Sequence, residues 1–292
     1  MEFLNKYECY KDYNIKKYNT YKLDVIAKYL VFVKNKEELI ELIKYLKENN
    51  IKYLILGNGS NVIFSCEYYD GVIIKLDKLN KLEINDNKVY VEAGYSLAKL
   101  SRDILNNGLV GLEFAAGIPG LVGASVAMNA GAYTKELSDV VKEVEVITPD
   151  NKLVVMKNSE LEFAYRDSFL KRNKNYICVS IIMEFEKGNK EEAIQLINVR
   201  REKRMLSQPL EYPSAGSVFR NPEGMYAGEL IEKCGLKGYN INGAEVSVKH
   251  ANFIINKGNC TGSDIIELID LIRKKVYEDY NVQLILEQEI IK

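Results

Sequence analysis

The chain has 292 residues, 47% hydrophobic and 28% charged, a soluble globular composition long enough for two or three domains with real cores. Lys and Arg (40) nearly balance Asp and Glu (41), so no global field points to nucleic acid or to an anionic membrane. Five scattered cysteines (Cys9, Cys66, Cys178, Cys234, Cys260) without a CxxC pair argue against a disulfide framework or a zinc site and fit a reducing cytoplasm, and the single histidine, His250, excludes chemistry needing two imidazoles in one chain.

Met1 to Tyr21 is polar and rich in Tyr and Lys, with no apolar core of a signal peptide. No apolar run approaches the ~20 residues that span a bilayer. Lys36 to Asn49 predicts a helix with Leu39, Ile40, Ile43 and Leu46 on one face. A strand over Tyr53-Leu54-Ile55-Leu56 then stops at Gly57. Gly71 to Leu76 and Lys88 to Glu92 read as strands, and Leu97, Leu100, Ile104 and Leu105 as a helix that Gly108 ends. Val144 to Thr148 and Leu153 to Met156 flank the turn residues Pro149-Asp150-Asn151, a hairpin, and Ile177 to Phe185 is a further strand. Lys190 to Met205 is a charged helix, and Gln208 to Gly224 breaks the pattern with Pro and Gly. Met225 to Cys234 predicts a helix stopped by Gly235; Thr261 opens a long one, with Asp264 where a capping box has its acid. Leu284 to Ile291 closes as a strand, which would put Glu287 and Glu289 on one face and Leu286, Gln288 and Ile290 on the other. The loose alternation lacks the regular rhythm of a doubly wound sheet, so an α+β class is expected, with a boundary near 187–210.

Three segments carry chemistry. In Gly57-Asn58-Gly59-Ser60-Asn61, two glycines let backbone N–H groups converge on a diphosphate while Ser60 and Asn61 add donors. The third glycine of GxGxxG is missing and no GxxxxGK[ST] occurs, which excludes a Rossmann site and a P-loop; a plain strand-exit turn is the alternative. Gly117-Ile118-Pro119-Gly120-Leu121-Val122-Gly123, continued by Ala124, Ala127, Asn129, Ala130 and Gly131, is dense in small residues. That density suits close approach of a flat aromatic cofactor with a pyrophosphate tail, tight helix packing being the alternative. Ala215-Gly216-Ser217-Val218-Phe219-Arg220-Asn221-Pro222 sets a hydroxyl between a flexible glycine and an apolar pair. Arg166, in Tyr165-Arg166-Asp167-Ser168, could fork onto a carboxylate, while Asp167 equally suits a surface ion pair. Glu287 and Glu289 read as solvated acids, His250 as a hydrogen-bonded structural residue, and Arg200, Arg201, Lys203 and Arg204 as the wet face of a helix.

These segments in their order, together with Asn19-Thr20-Tyr21, Met128 to Tyr133, Ala227 to Glu232 and Gly235 to Gly238, resemble the UDP-N-acetylenolpyruvoylglucosamine reductase family nearly end to end. The resemblance implies non-covalent FAD in an α+β domain of the vanillyl-alcohol-oxidase type, followed by an α+β substrate domain. It implies an N-terminal segment over 1–21 packing on the flavin domain, the flavin domain over 22–187 and the substrate domain over 188–292, whose last strand (284–291) returns to the active site. It makes Arg166, Ser217 and Glu289 the catalytic set. Gly57, Asn58, Gly59, Ser60, Asn61, Gly117, Ile118, Pro119, Gly120, Gly123, Ala124 and Asn129 become the FAD-binding set, with no metal. NADPH and UDP-N-acetylglucosamine enolpyruvate are the implied substrates. The chain resembles the shorter, second type of the family, and departs from its pattern in having Gln288, not proline, between the two acids. Arg204, Lys237 and Tyr239 are candidates for the UDP diphosphate. An oxidase of the same flavin superfamily and a nucleotide-sugar binding protein without flavin are the rival readings.

Overall fold

The computed structural model describes residues 2–292 and divides into two compact units. The first gathers the residues up to Tyr10, Tyr29–Gly57 and Gly71–Arg201; the second gathers Lys11–Lys28, Asn58–Asp70 and Glu202–Lys292.

The first unit is built on an antiparallel five-stranded sheet in the order Leu153–Lys157, Val141–Ile147, Ile177–Glu184, Lys88–Glu92, Leu82–Asn85. Ile147 pairs with Leu153 across the predicted hairpin, and Asn151 turns the chain at φ 61°, a left-handed conformation that Asn adopts more readily than most residues. Ile177–Glu184 is central and its first five residues are all buried, hence its unbroken apolar run. The first helix runs Lys36–Glu48, started by the Asn35 side chain accepting from Glu38 N at 2.8 Å. Leu39, Leu42, Ile43 and Leu46 are fully buried; Leu42 takes the inward place expected of Ile40, which is only half-buried. Each such side chain contributes about 1.5–3 kcal/mol by leaving water. Tyr53–Ile55 pairs in parallel with Val72–Ile74, and helix Leu97–Asn106 is followed by Gly108 at φ 75°.

In the second unit Thr261 and Asp264 form the expected capping box of helix Gly262–Tyr280, which ends on Asn281 at φ 55°. Its buried stripe is Ile265, Leu268, Ile269, Ile272 and Val276. The predicted 225–234 helix is the shorter Ala227–Lys233, with Gly235 at φ 72°. Asn240–Ile241, Ala244–Val246 and Ile254–Asn256 form an antiparallel sheet, and Val62–Phe64 pairs in parallel with Glu289–Ile291.

The strand expected over 284–291 is corrected to Glu289–Ile291, because the chain changes partner there. Glu287 N donates to Val218 O at 2.8 Å, whereas Glu289 N donates to Asn61 O at 2.9 Å. The predominantly antiparallel pairing and the segregated helices make this an α+β fold. Among the described residues no helix is long and apolar enough to cross a membrane.

Candidate active site

In the first unit, Gly57 lies beside Ala124: a Cβ on Gly57 would stand 3.3 Å from the Cβ of Ala124, which is itself exposed. Behind Gly57, its carbonyl accepts from Nζ of Lys75, a lysine 1% exposed and paired with Asp77 at 3.3 Å. Burial pushes the Lys75 ammonium below its ordinary pKa, against the pull of Asp77. Sequence reasoning passed over Lys75, although a lysine closing the apolar run Val72-Ile73-Ile74 was the available signal.

The small residues after Gly117 serve two ends. Gly117, Pro119 and Ala124 are exposed and Ile118 is half-buried. Gly123 is buried, and a Cβ there would come within 2.6 Å of the Cβ of Ala93; one on Gly120 would strike Oγ of Ser125. Tight packing of the chain on itself therefore accounts for Gly123, whereas at Gly120 a turn of the Ser125 hydroxyl would relieve the contact.

Arg166 is held in a left-handed backbone at φ 55°, a strained setting for a side chain with a Cβ. Its Nη2 donates to Gly131 O at 2.6 Å and its Nη1 lies 3.8 Å from Glu136 Oε1. Asn129 braces this corner: fully buried at φ 45°, it donates to Glu136 Oε2 (2.9 Å) and Ala164 O (3.0 Å) and accepts from Ser138 N (3.0 Å). The whole amide of Asn129 is thus spent on the protein itself. Lys171 Nζ holds Arg166 O at 2.9 Å, and Asp167 pairs with Arg172 at 2.5 Å, the surface ion pair expected of it.

In the second unit, Gly59 takes φ 63° and passes so close to Tyr18 O that no Cβ fits. Gly59 O accepts from Thr20 N (3.1 Å) and Thr20 Oγ1 (3.2 Å). In a trans peptide the N–H opposes the C=O. Carbonyls of Gly57 and Gly59 turned into the protein therefore aim the N–H groups of Asn58 and Ser60 the other way, as in a backbone anion nest. This suits a diphosphate, so the residues present fit FAD. Asn61 Nδ2 reaches Glu287 O at 3.2 Å.

Ser217 follows Gly216, whose φ is 74°. Beyond it the backbone is clamped by Asn252: Val218 N donates to Asn252 O (2.9 Å), Phe219 N to its Oδ1 (3.0 Å), and its Nδ2 returns to Phe219 O (2.8 Å). Phe219 bridges Leu286, and this antiparallel register carried two residues on sets Ser217 alongside Gln288, next in sequence to Glu289. Ser217 and Glu289 are both half-buried, which leaves them open to a ligand. Nε of Arg220 is buried with no hydrogen-bond partner among the described residues.

His250 is the structural residue expected of it: its Nδ1 accepts from Asn252 N at 3.2 Å and its ring lies 4.9 Å from that of Phe253. Burial pushes its pKa below the ordinary 6.5. The unfolded chain then binds the proton first, so stability is full above 6.5 and falls as the pH drops through the folded value. Denaturant titrations at stepped pH should show wild type losing more stability than His250→Gln below 6.5. Parallel curves for the two proteins would refute this.

Two family models cover most of the chain: an FAD binding domain over residues 27–157, and the C-terminal domain of UDP-N-acetylenolpyruvoylglucosamine reductase over 208–291. The UDP-N-acetylenolpyruvoylglucosamine reductase of Caldanaerobacter subterraneus subsp. tengcongensis is 42% identical over 99% of this chain and 96% of its own length. That of Anoxybacillus flavithermus is 42% identical over 94% and 91%. The crystal structure of the Thermus caldophilus enzyme superposes with a TM-score of 0.82 at 33% identity, covering 98% of this chain and 99% of that one. With fold, glycine loop and serine segment in place and relatives matching along nearly its whole length, the chain belongs to the UDP-N-acetylenolpyruvoylglucosamine reductase family.

Proposed function

We infer that this protein is an FAD-containing oxidoreductase that uses NADPH to reduce UDP-N-acetylglucosamine enolpyruvate to UDP-N-acetylmuramate, a step of peptidoglycan synthesis. The observation that carries this is the 42% identity over 99% of the chain to a reductase of that name. We place the activity in the cytoplasm, in the service of cell-wall growth and hence of cell shape and division. The FAD-binding domain is assigned to 22–187, preceded by a packing segment over 1–21, and the substrate domain to 188–292, with 284–291 belonging to the active site. The N–H groups of Asn58 and Ser60, with Gly57, Gly59, Asn61, the exposed 117–119 turn and Ala124, would hold FAD. Gly120, Gly123 and Asn129 act through the backbone they shape.

Bound FAD would supply the redox chemistry that links NADPH to the terminal vinyl carbon of the enolpyruvyl group. The protein's own task is to manage the charge and the proton. Arg166 binds the substrate carboxylate, into which the negative charge delocalises, and Glu289 polarises the enolate beside it. Ser217 gives its hydroxyl proton to the carbon beside that carboxylate and regains one from solvent, so hydride and proton together saturate the double bond. NADP⁺ leaves before the sugar binds.

Purified protein should be yellow, with the visible absorption of flavin, bleach with NADPH under anaerobic conditions and recover its colour on addition of the enolpyruvyl sugar. Recovery with air but not with the sugar would reassign the chain to the oxidases. A colourless protein that FAD cannot reconstitute would make it a binding protein.

A further inference from the structure

We propose that Gln288 is a positioning residue that ties the Ser217 segment to the strand carrying Glu289, with buried Tyr21 as its anchor. The inference rests on the reading above, in which Ser217 and Glu289 act on the enolpyruvyl group.

Gln288 is 3% exposed although it is polar, and every polar atom of its side chain is engaged. Its Oε1 accepts from the Tyr21 hydroxyl at 3.0 Å. Its Nε2 faces three successive carbonyls, donating to Ala215 O (3.0 Å) and Gly216 O (3.2 Å), with Ser217 O at 3.4 Å. The amide orientation follows from these partners: flipped, it would set Oε1 against three carbonyl oxygens. Only a side chain with an acceptor and two donors on one planar group meets both demands, and leucine, of similar size, meets neither.

The anchor is itself held. Tyr21 is 0% exposed, and burial pushes its phenol well above the usual tyrosine range, so it stays a neutral donor. Its carbonyl accepts from Asn256 Nδ2 at 2.8 Å, and Asn256 N donates to Pro213 O at 2.8 Å. The bonds therefore close a ring: Tyr21 to Gln288, to the carbonyls of 215–217, back along the chain to Pro213, to Asn256 and again to Tyr21. The turn inside that ring contains Gly216 at φ 74°, where a Cβ would meet nothing within 4 Å. At Gly216 itself no side-chain packing restrains the turn, and the hydrogen bonds from Gln288 supply a restraint there. Gln288 also stands where the backbone changes partner, between Glu287 on Val218 and Glu289 on Asn61. Releasing it frees the serine from one side and the glutamate from the other.

The test uses FAD-loaded Gln288→Leu, Tyr21→Phe and the double variant, with both half-reactions followed by stopped-flow. Flavin reduction by NADPH should be unchanged, and reoxidation by the enolpyruvyl sugar should slow by ~10–10²-fold, the size of effect that a misplacement near 1 Å produces. The two changes should be non-additive, because the residues act in series. Equal slowing of both half-reactions would mean general loosening and would overturn the proposal. So would wild-type reoxidation by Gln288→Leu while Ser217→Ala is slow. Wild-type reoxidation by Ser217→Ala would instead overturn the reading of the site, and the proposal with it. Should Gln288→Leu not fold, Tyr21→Phe, which removes a single oxygen, carries the same test.

Discussion

Replacing Ser217 by alanine should leave reduction of the flavin by NADPH at its wild-type rate and slow its reoxidation by the enolpyruvyl sugar by about 10²–10⁴-fold, the usual worth of general-acid help. The asymmetry follows from where a proton is needed. Taking hydride from NADPH requires none at the substrate, whereas hydride addition to the vinyl carbon leaves charge that a proton must quench. The variant should be clean, because Val218 and Phe219 are held through backbone bonds to Asn252 that do not involve the serine hydroxyl. Stopped-flow absorbance of the two half-reactions decides it. If both slow alike, Ser217 is not the proton donor.

Arg166→Lys should reduce reoxidation by the sugar by about 10²–10³-fold, comparable to losing one oriented donor at a developing anion. The substitution keeps the charge and removes the fork. Arg166 leans on Gly131 O with Nη2 while Nη1 lies near Glu136, a planar geometry that aligns its remaining N–H groups and that a single ammonium cannot reproduce. Lysine, like arginine, carries an unbranched Cβ, so the left-handed φ of 55° strains it no more, and FAD content and the circular dichroism spectrum should stay as in wild type. An unchanged kcat and KM for the enolpyruvyl sugar would remove Arg166 from the reaction.

Much of the fold was legible from local pattern. The 3.6-residue period of Leu39, Ile43 and Leu46, the Thr261–Asp264 capping box and the turn chemistry of Pro149-Asp150-Asn151 all returned as the expected elements. Local patterns carry such information because caps and turns are satisfied within a few residues of chain. The misreadings arose where distant partners intervene. The expected strand over 284–291 is split because Glu287 and Glu289 bond to different segments more than sixty residues away in the chain. Gly123 is legible as small, but that Ala93 fills the space beside it is set by a contact thirty residues back in the chain.

By itself, then, the sequence determined the composition class, the positions of the main helices and sheet strands, and the three short segments proposed to carry the redox and proton chemistry. Tertiary structure alone decided how Asn129 braces Arg166, why a buried lysine backs Gly57, and that Gln288 and Tyr21 hold the serine turn. The reason is physical: a buried polar side chain must find its partners wherever the fold brings them, and those partners lie up to 267 residues apart in the chain, beyond the reach of any local periodicity.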